Sequence, residues 1–143
     1  MSARDERGTA LIELMWLSVL LFVPMVWIVL SVFQVQRGAF GVTAAARAAG
    51  RAFVLAPDDE TGRRRAHAVA AVALADQGVT APWDLSFTCS APGACHTPGQ
   101  VVTVQVDSSV SLPFIPRILG GAARFALHAE QRVPVGQFQE PGG

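Results

Sequence analysis

Arg7-Gly8-Thr9-Ala10-Leu11-Ile12-Glu13 is the stretch around which the chain is organised. A glycine is followed at the fifth place by a lone carboxylate, and that carboxylate opens a long apolar run. The twenty residues Leu14 to Phe33 carry no charge. At about 1.5 Å per residue such a helix is roughly 30 Å long, the thickness of a bilayer's hydrocarbon core. Apolar residues cover all of its sides, as lipid surroundings require. Read as a span over residues 14–33, it places Glu13 at the interface, where a carboxylate costs less than the ~2.5–3.5 kcal/mol expected at mid-membrane. Glu13 either marks the end of the span and reaches back to water, or it waits for a partner.

The totals bound the rest. The chain has 143 residues, of which 110 follow Phe33, enough for one small domain with a modest core. Eleven arginines balance eleven acids and there is no lysine. A neutral chain has no general electrostatic footprint for phosphate polymers, so nucleic acid is not expected as a partner. Cys89 and Cys95 flank Ser90-Ala91-Pro92-Gly93-Ala94, and Pro-Gly signals a turn that brings the sulfurs together. Outside the cytoplasm a disulfide is expected, and in a loop-entropy account so short a loop adds roughly 2 kcal/mol. A metal would take Cys89, Cys95 and His96, but no second ligand pair stands at zinc-finger spacing. No metal or other cofactor is therefore expected.

Downstream of the span, Gln34 to Ala56 remains helix-compatible and turns amphipathic. Gly38, Gly41, Ala45 and Ala49 form a stripe of small residues that lets another helix approach, or simply belong to an alanine-rich helix. Pro24 inside the span should kink or locally unwind it, and Pro57 ends the helix. Asp58 or Asp59 can cap a second helix running to about Gln77, with Gly78 as its stop. Its Ala66, Val69, Ala70, Ala73 and Leu74 share a face, and Arg63-Arg64-Arg65 reads as a solvated one. After Pro82 the period changes to two. Trp83 to Cys89, Val101 to Leu112 and Phe125 to Val133 read as three strands, each burying one face. The helices are their obvious covers. Leu112 to Ala123 reads as a loop whose Phe114, Ile115, Ile118 and Leu119 contact a membrane, a neighbour or the sheet. The expected fold class is α+β: a long N-terminal transmembrane helix, a second helix and a small three-stranded antiparallel sheet. His67, His96 and His128 are scattered, and no nucleophile elbow, P-loop or HExxH motif is present. No catalytic residue, and no enzymatic activity, is expected.

A short polar leader, a glycine, a glutamate at the fifth place after it and about twenty apolar residues resemble the processing site of type IV pilins and pseudopilins. The finer resemblance is to the TadE-like minor pilins of tight-adherence pili. It rests on Glu6-Arg7-Gly8-Thr9-Ala10-Leu11-Ile12-Glu13, the span, and the run from Val35-Gln36-Arg37 to Ala44-Ala45-Ala46-Arg47. A looser likeness covers Val101-Val102-Thr103-Val104, Leu112-Pro113-Phe114-Ile115-Pro116, and Phe125 to Arg132. Two features depart from a standard major pilin: Thr9 stands where many have phenylalanine, and Pro24 falls at mature position sixteen.

The resemblance implies a leader (1–8) cut by a prepilin peptidase between Gly8 and Thr9. A helix of about 70 Å (9–56) would follow, then an extracytoplasmic domain (57–134) and a flexible tail (135–143). It implies that Glu13 pairs with the freed N-terminal amine of a neighbouring subunit. The implied partners are the peptidase, other pilin subunits, the assembly machinery and membrane lipid. The implied location is the bacterial cytoplasmic membrane, single-pass, with the C-terminal domain outside. Charge alone leans the other way: Arg4 and Arg7 precede the span, whereas Arg37, Arg47 and Arg51 follow it. A membrane-anchored binding domain that never polymerises and a secreted domain freed near Ala46 are the alternatives.

Overall fold

The computed structural model describes residues 5–112 and 124–136. Two helices and three strands follow in order: α1 (Asp5–Val54), α2 (Asp59–Asp76), β1 (Asp84–Cys89), β2 (Val101–Ser111) and β3 (Arg124–Pro134). This is the expected α+β class. The expected 113–123 part of the loop, with Phe114, Ile115, Ile118 and Leu119, lies outside the described residues, as do residues 1–4 of the leader and 137–143 of the tail.

The chain divides into two units after Phe33. In the first, α1 begins at Asp5, within the expected leader, and stays helical through Pro24, so the local unwinding expected there does not occur. From Ala10 to Val26 every side chain is exposed, large apolar ones on all sides of the helix. Ser18 donates its hydroxyl to the Leu14 carbonyl (2.8 Å) and Ser31 donates to that of Trp27 (2.8 Å), which satisfies both hydroxyls within an apolar helix. The run is long and apolar enough to cross a membrane by length and composition.

The second unit is built on the last five turns of α1. Val42, Ala45, Ala46, Ala49 and Phe53 are buried with Ala66, Ala70 and Leu74 of α2 and with Val102, Val104 and Val106 of β2. The stripe of small residues is thus used within the unit. A Cβ on Gly41 would meet Gln77 and Val79 at 3.1 Å, and one on Gly38 would meet the Leu127 side chain. On α2 the buried face is Gly62, Ala66, Ala70 and Leu74, while Val69 is partly exposed. Asp58 caps α2 by accepting the Thr61 amide (2.8 Å), which draws its carboxyl below the usual carboxylate range.

The sheet is antiparallel in the order β1-β2-β3, with Phe87 opposite Val104 and Val106 opposite Ala129. Alternation holds along β2, where Val102, Val104 and Val106 are fully buried. It weakens at the start of β3: Phe125, assigned to the inner face from its spacing, is 52% exposed. The ordered chain also outlasts the expected domain end. Val135, placed by the sequence at the head of the tail, is buried, and its amide donates to the Gln100 carbonyl (2.8 Å).

Gly50 sets how closely α1 lies on the sheet. A Cβ there would come 2.7 Å from Val133 Cγ2, closer than carbon atoms pack. Gly50→Val should therefore destabilise this unit by about 1–3 kcal/mol, despite the better helix propensity of valine. Urea unfolding followed by circular dichroism checks this, and an unchanged midpoint would mean the contact is loose.

Candidate functional site

Two separate constellations draw in the residues singled out from the sequence. The first is the N-terminal motif. Gly8 and Thr9 both lie in the helical backbone of α1, and Glu13 is exposed two turns from its start. Among the side chains described, those from Ala10 onward, no cation stands within ion-pairing distance of Glu13. The lone carboxylate thus occupies an otherwise apolar helical surface, flanked by Ile12, Leu14, Trp16 and Leu17, each at least 60% exposed.

The second lies around the cysteines. Cys89 closes β1, and its sulfur is joined to that of Cys95 across a Cα–Cα distance of 5.5 Å. The turn between them uses Gly93 at φ +113°, a left-handed value that glycine adopts without strain. Ser90 pins its base, donating its amide to the Val101 carbonyl (3.0 Å) while its hydroxyl accepts the Val101 amide (3.0 Å).

The loop then locks onto Asp59, the first residue of α2. The Asp59 carboxylate accepts the amides of Cys95 (2.9 Å) and His96 (3.0 Å) and bonds His96 Nδ1 (2.5 Å). The other ring nitrogen, Nε2, faces the Phe53 carbonyl at 2.8 Å. That carbonyl belongs to the last turn of α1 and also accepts the Ala56 amide (3.1 Å). Both neighbours of the ring are acceptors, so both bonds are made together only by the imidazolium, and either neutral tautomer gives one up. The His96 ring, 9% exposed, also stacks on Phe53 at 4.7 Å between centroids, and Phe53 stacks in turn on Phe87. Burial pushes the Asp59 carboxyl up, but the His96 ring and the two amides outweigh it, and its pKa falls below 3.8.

Nothing local in the sequence marks this network. His96 reads as one of three scattered histidines, and Asp59 as a possible helix cap. The cap is Asp58, which leaves Asp59 free to reach across 36 residues of chain. The other histidines are surface partners: His67 stacks on Trp83, and His128 bonds Asp107 across the β2–β3 pair (2.7 Å). Among the described residues no three His, Cys, Asp or Glu side chains are placed to hold a metal ion. The side-chain hydrogen bonds of His96 and Asp59 all join one structural element to another. The arrangement is chemically a clamp.

No protein-family model, no curated protein and no solved structure matches this chain.

Proposed function

We propose that the chain is a TadE-like minor pilin or pseudopilin. It is a structural subunit for tight-adherence pili, cut by a prepilin peptidase after Gly8 and acting through contacts with other pilin subunits. The observation that carries this reading is Glu13. It is a lone carboxylate, five residues past a glycine, in a helix whose apolar side chains face outward on all sides. A carboxylate kept in such surroundings invites a cation from another chain. The remainder of the structure is consistent with a subunit. The same helix continues into an α+β unit that carries a disulfide and a clamp, as a domain outside the cytoplasm would.

The test is the intact mass and N-terminal sequence of the protein taken from membranes of its own host. A chain starting at Thr9, and starting at Met1 when the prepilin peptidase is deleted, is the expected result. A chain starting at Met1 or Ser2 in the normal host would leave a membrane anchor and sink the proposal. A start near Ala46 would mean that the apolar helix was an export signal.

A further inference from the structure

Among the described residues the sheet ends at β3, and beside that edge α1 and β3 enclose a cleft of about 380 Å³ lined by Arg47, Arg51, Gln131, Arg132 and Val133. Gly50, between Arg47 and Arg51 in α1, lets the helix backbone lie close against Val133 of β3.

Arg47 and Arg51 of α1 therefore line one concavity with β3, while the Arg132 side chain leaves it for Glu130 on the other face of the strand. Arg132 bonds Glu130 (2.8 Å), but among the described residues neither Arg47 nor Arg51 has an acidic partner. By contrast Arg64, on α2, pairs with Glu60 one turn away. Like charges one turn apart cost a helix a few tenths of a kcal/mol. Gathering two uncompensated ones in a cleft raises the positive potential that an anion would feel.

The spacing says what kind of anion. Arg47 and Arg51 are separated along the helix by about 6 Å. Alternate residues of an extended strand, which point to the same face, repeat at about 6.6 Å. The neighbouring β3 is an eleven-residue edge strand, and such an edge offers unpaired backbone donors and acceptors to an added strand.

We propose that this edge receives an extended acidic segment of a partner protein, added in β fashion beside β3. Two of its carboxylates, at alternate positions, would be held by Arg47 and Arg51. Arginine suits the task because its planar fork takes a carboxylate with two parallel bonds. The proposal stands on the globular unit alone and does not depend on processing at Gly8.

The experiment uses the full chain in nanodiscs and a labelled ten-residue peptide of alternating Val and Glu, read by fluorescence anisotropy. The companion peptides replace Glu by Gln, or keep the composition with all Glu in one block; polyphosphate serves as a competitor. The alternating peptide should bind, and its affinity should fall at least about tenfold in the Arg47→Ala/Arg51→Ala variant, two charge-assisted contacts having been lost. Both sites are exposed, so the thermal midpoint of the variant should match that of the wild type. Amide exchange along β3 should slow when the alternating peptide binds. Equal binding by the block peptide, or displacement by polyphosphate with no protection of β3, would mean a non-specific basic patch and overturn the proposal. Absence of binding, or binding unchanged in the double variant, would overturn it as well.

Discussion

Asp59→Ala should destabilise the C-terminal unit by about 2–4 kcal/mol. The range takes the cost of leaving buried hydrogen-bonding groups unpaired and discounts it because the carboxylate is 28% exposed. Alanine removes the acceptor of the Cys95 and His96 amides and a partner of the His96 ring. It leaves the ring against Phe53 with a nitrogen it cannot satisfy. Asp59→Asn keeps the shape and one acceptor oxygen but loses the charge, so it should fall between alanine and wild type. The effect is pH-dependent, with a definite sign. The carboxyl has a lower pKa folded than unfolded, so the unfolded chain takes up the proton first as pH falls. The stabilisation is therefore complete above pH 3.8, the unfolded value, and is lost as the pH drops through the folded value. Unfolding midpoints measured across that range should drop for the wild type and stay flatter for Asp59→Ala. Equal midpoints for the two proteins at neutral pH would mean that the clamp contributes nothing.

The difference between what was legible in the sequence and what was not is one of range. The strands show themselves because Val102, Val104 and Val106 alternate with polar residues, and period-two burial needs nothing beyond the strand itself. The end of α2 is legible for the same reason: Gly78 adopts φ +70°, a local property of one residue. Cys89 and Cys95 are close in sequence, and their turn is written between them. Asp59–His96 is a contact between positions 37 residues apart, made by two residue types that are usually exposed. Only the fold brings them together, and no local pattern marks them. Val135 was missed similarly, because its burial depends on one backbone bond to Gln100 after the strand has ended. The cleft beside β3 also belongs to the fold. Arg47 and Arg51 look like solvated helix charges until Gly50 is seen lying against Val133. The N-terminal motif is the reverse case. It is the most specific feature of the sequence, yet the pairing proposed for Glu13 needs a second chain, which the structure of one chain does not contain.

Glu13→Ala should give a protein that inserts and folds normally but fails to enter filaments. The two readings of Glu13 assign opposite signs to this substitution. If the carboxylate only marks the end of the span, alanine removes a group that costs up to ~2.5–3.5 kcal/mol in hydrocarbon, and the inserted protein gains stability with no loss elsewhere. If instead Glu13 receives the N-terminal amine of an adjacent subunit, alanine removes an attraction of about 4 kcal/mol at 4 Å and an effective dielectric constant near 20. That is enough to reduce incorporation by more than about a hundredfold. Glu13→Gln separates charge from hydrogen bonding: it keeps a polar oxygen but not the charge, so it should resemble alanine in assembly. The measurement is the amount of the protein in sheared surface filaments relative to membranes, with cleavage after Gly8 followed in the same samples. Loss from filaments with normal membrane levels and normal cleavage is the expected outcome. Normal filament levels for Glu13→Ala would remove the pairing role. A loss accompanied by failed cleavage would place Glu13 in peptidase recognition, because an uncut chain has no amine at Thr9 to offer.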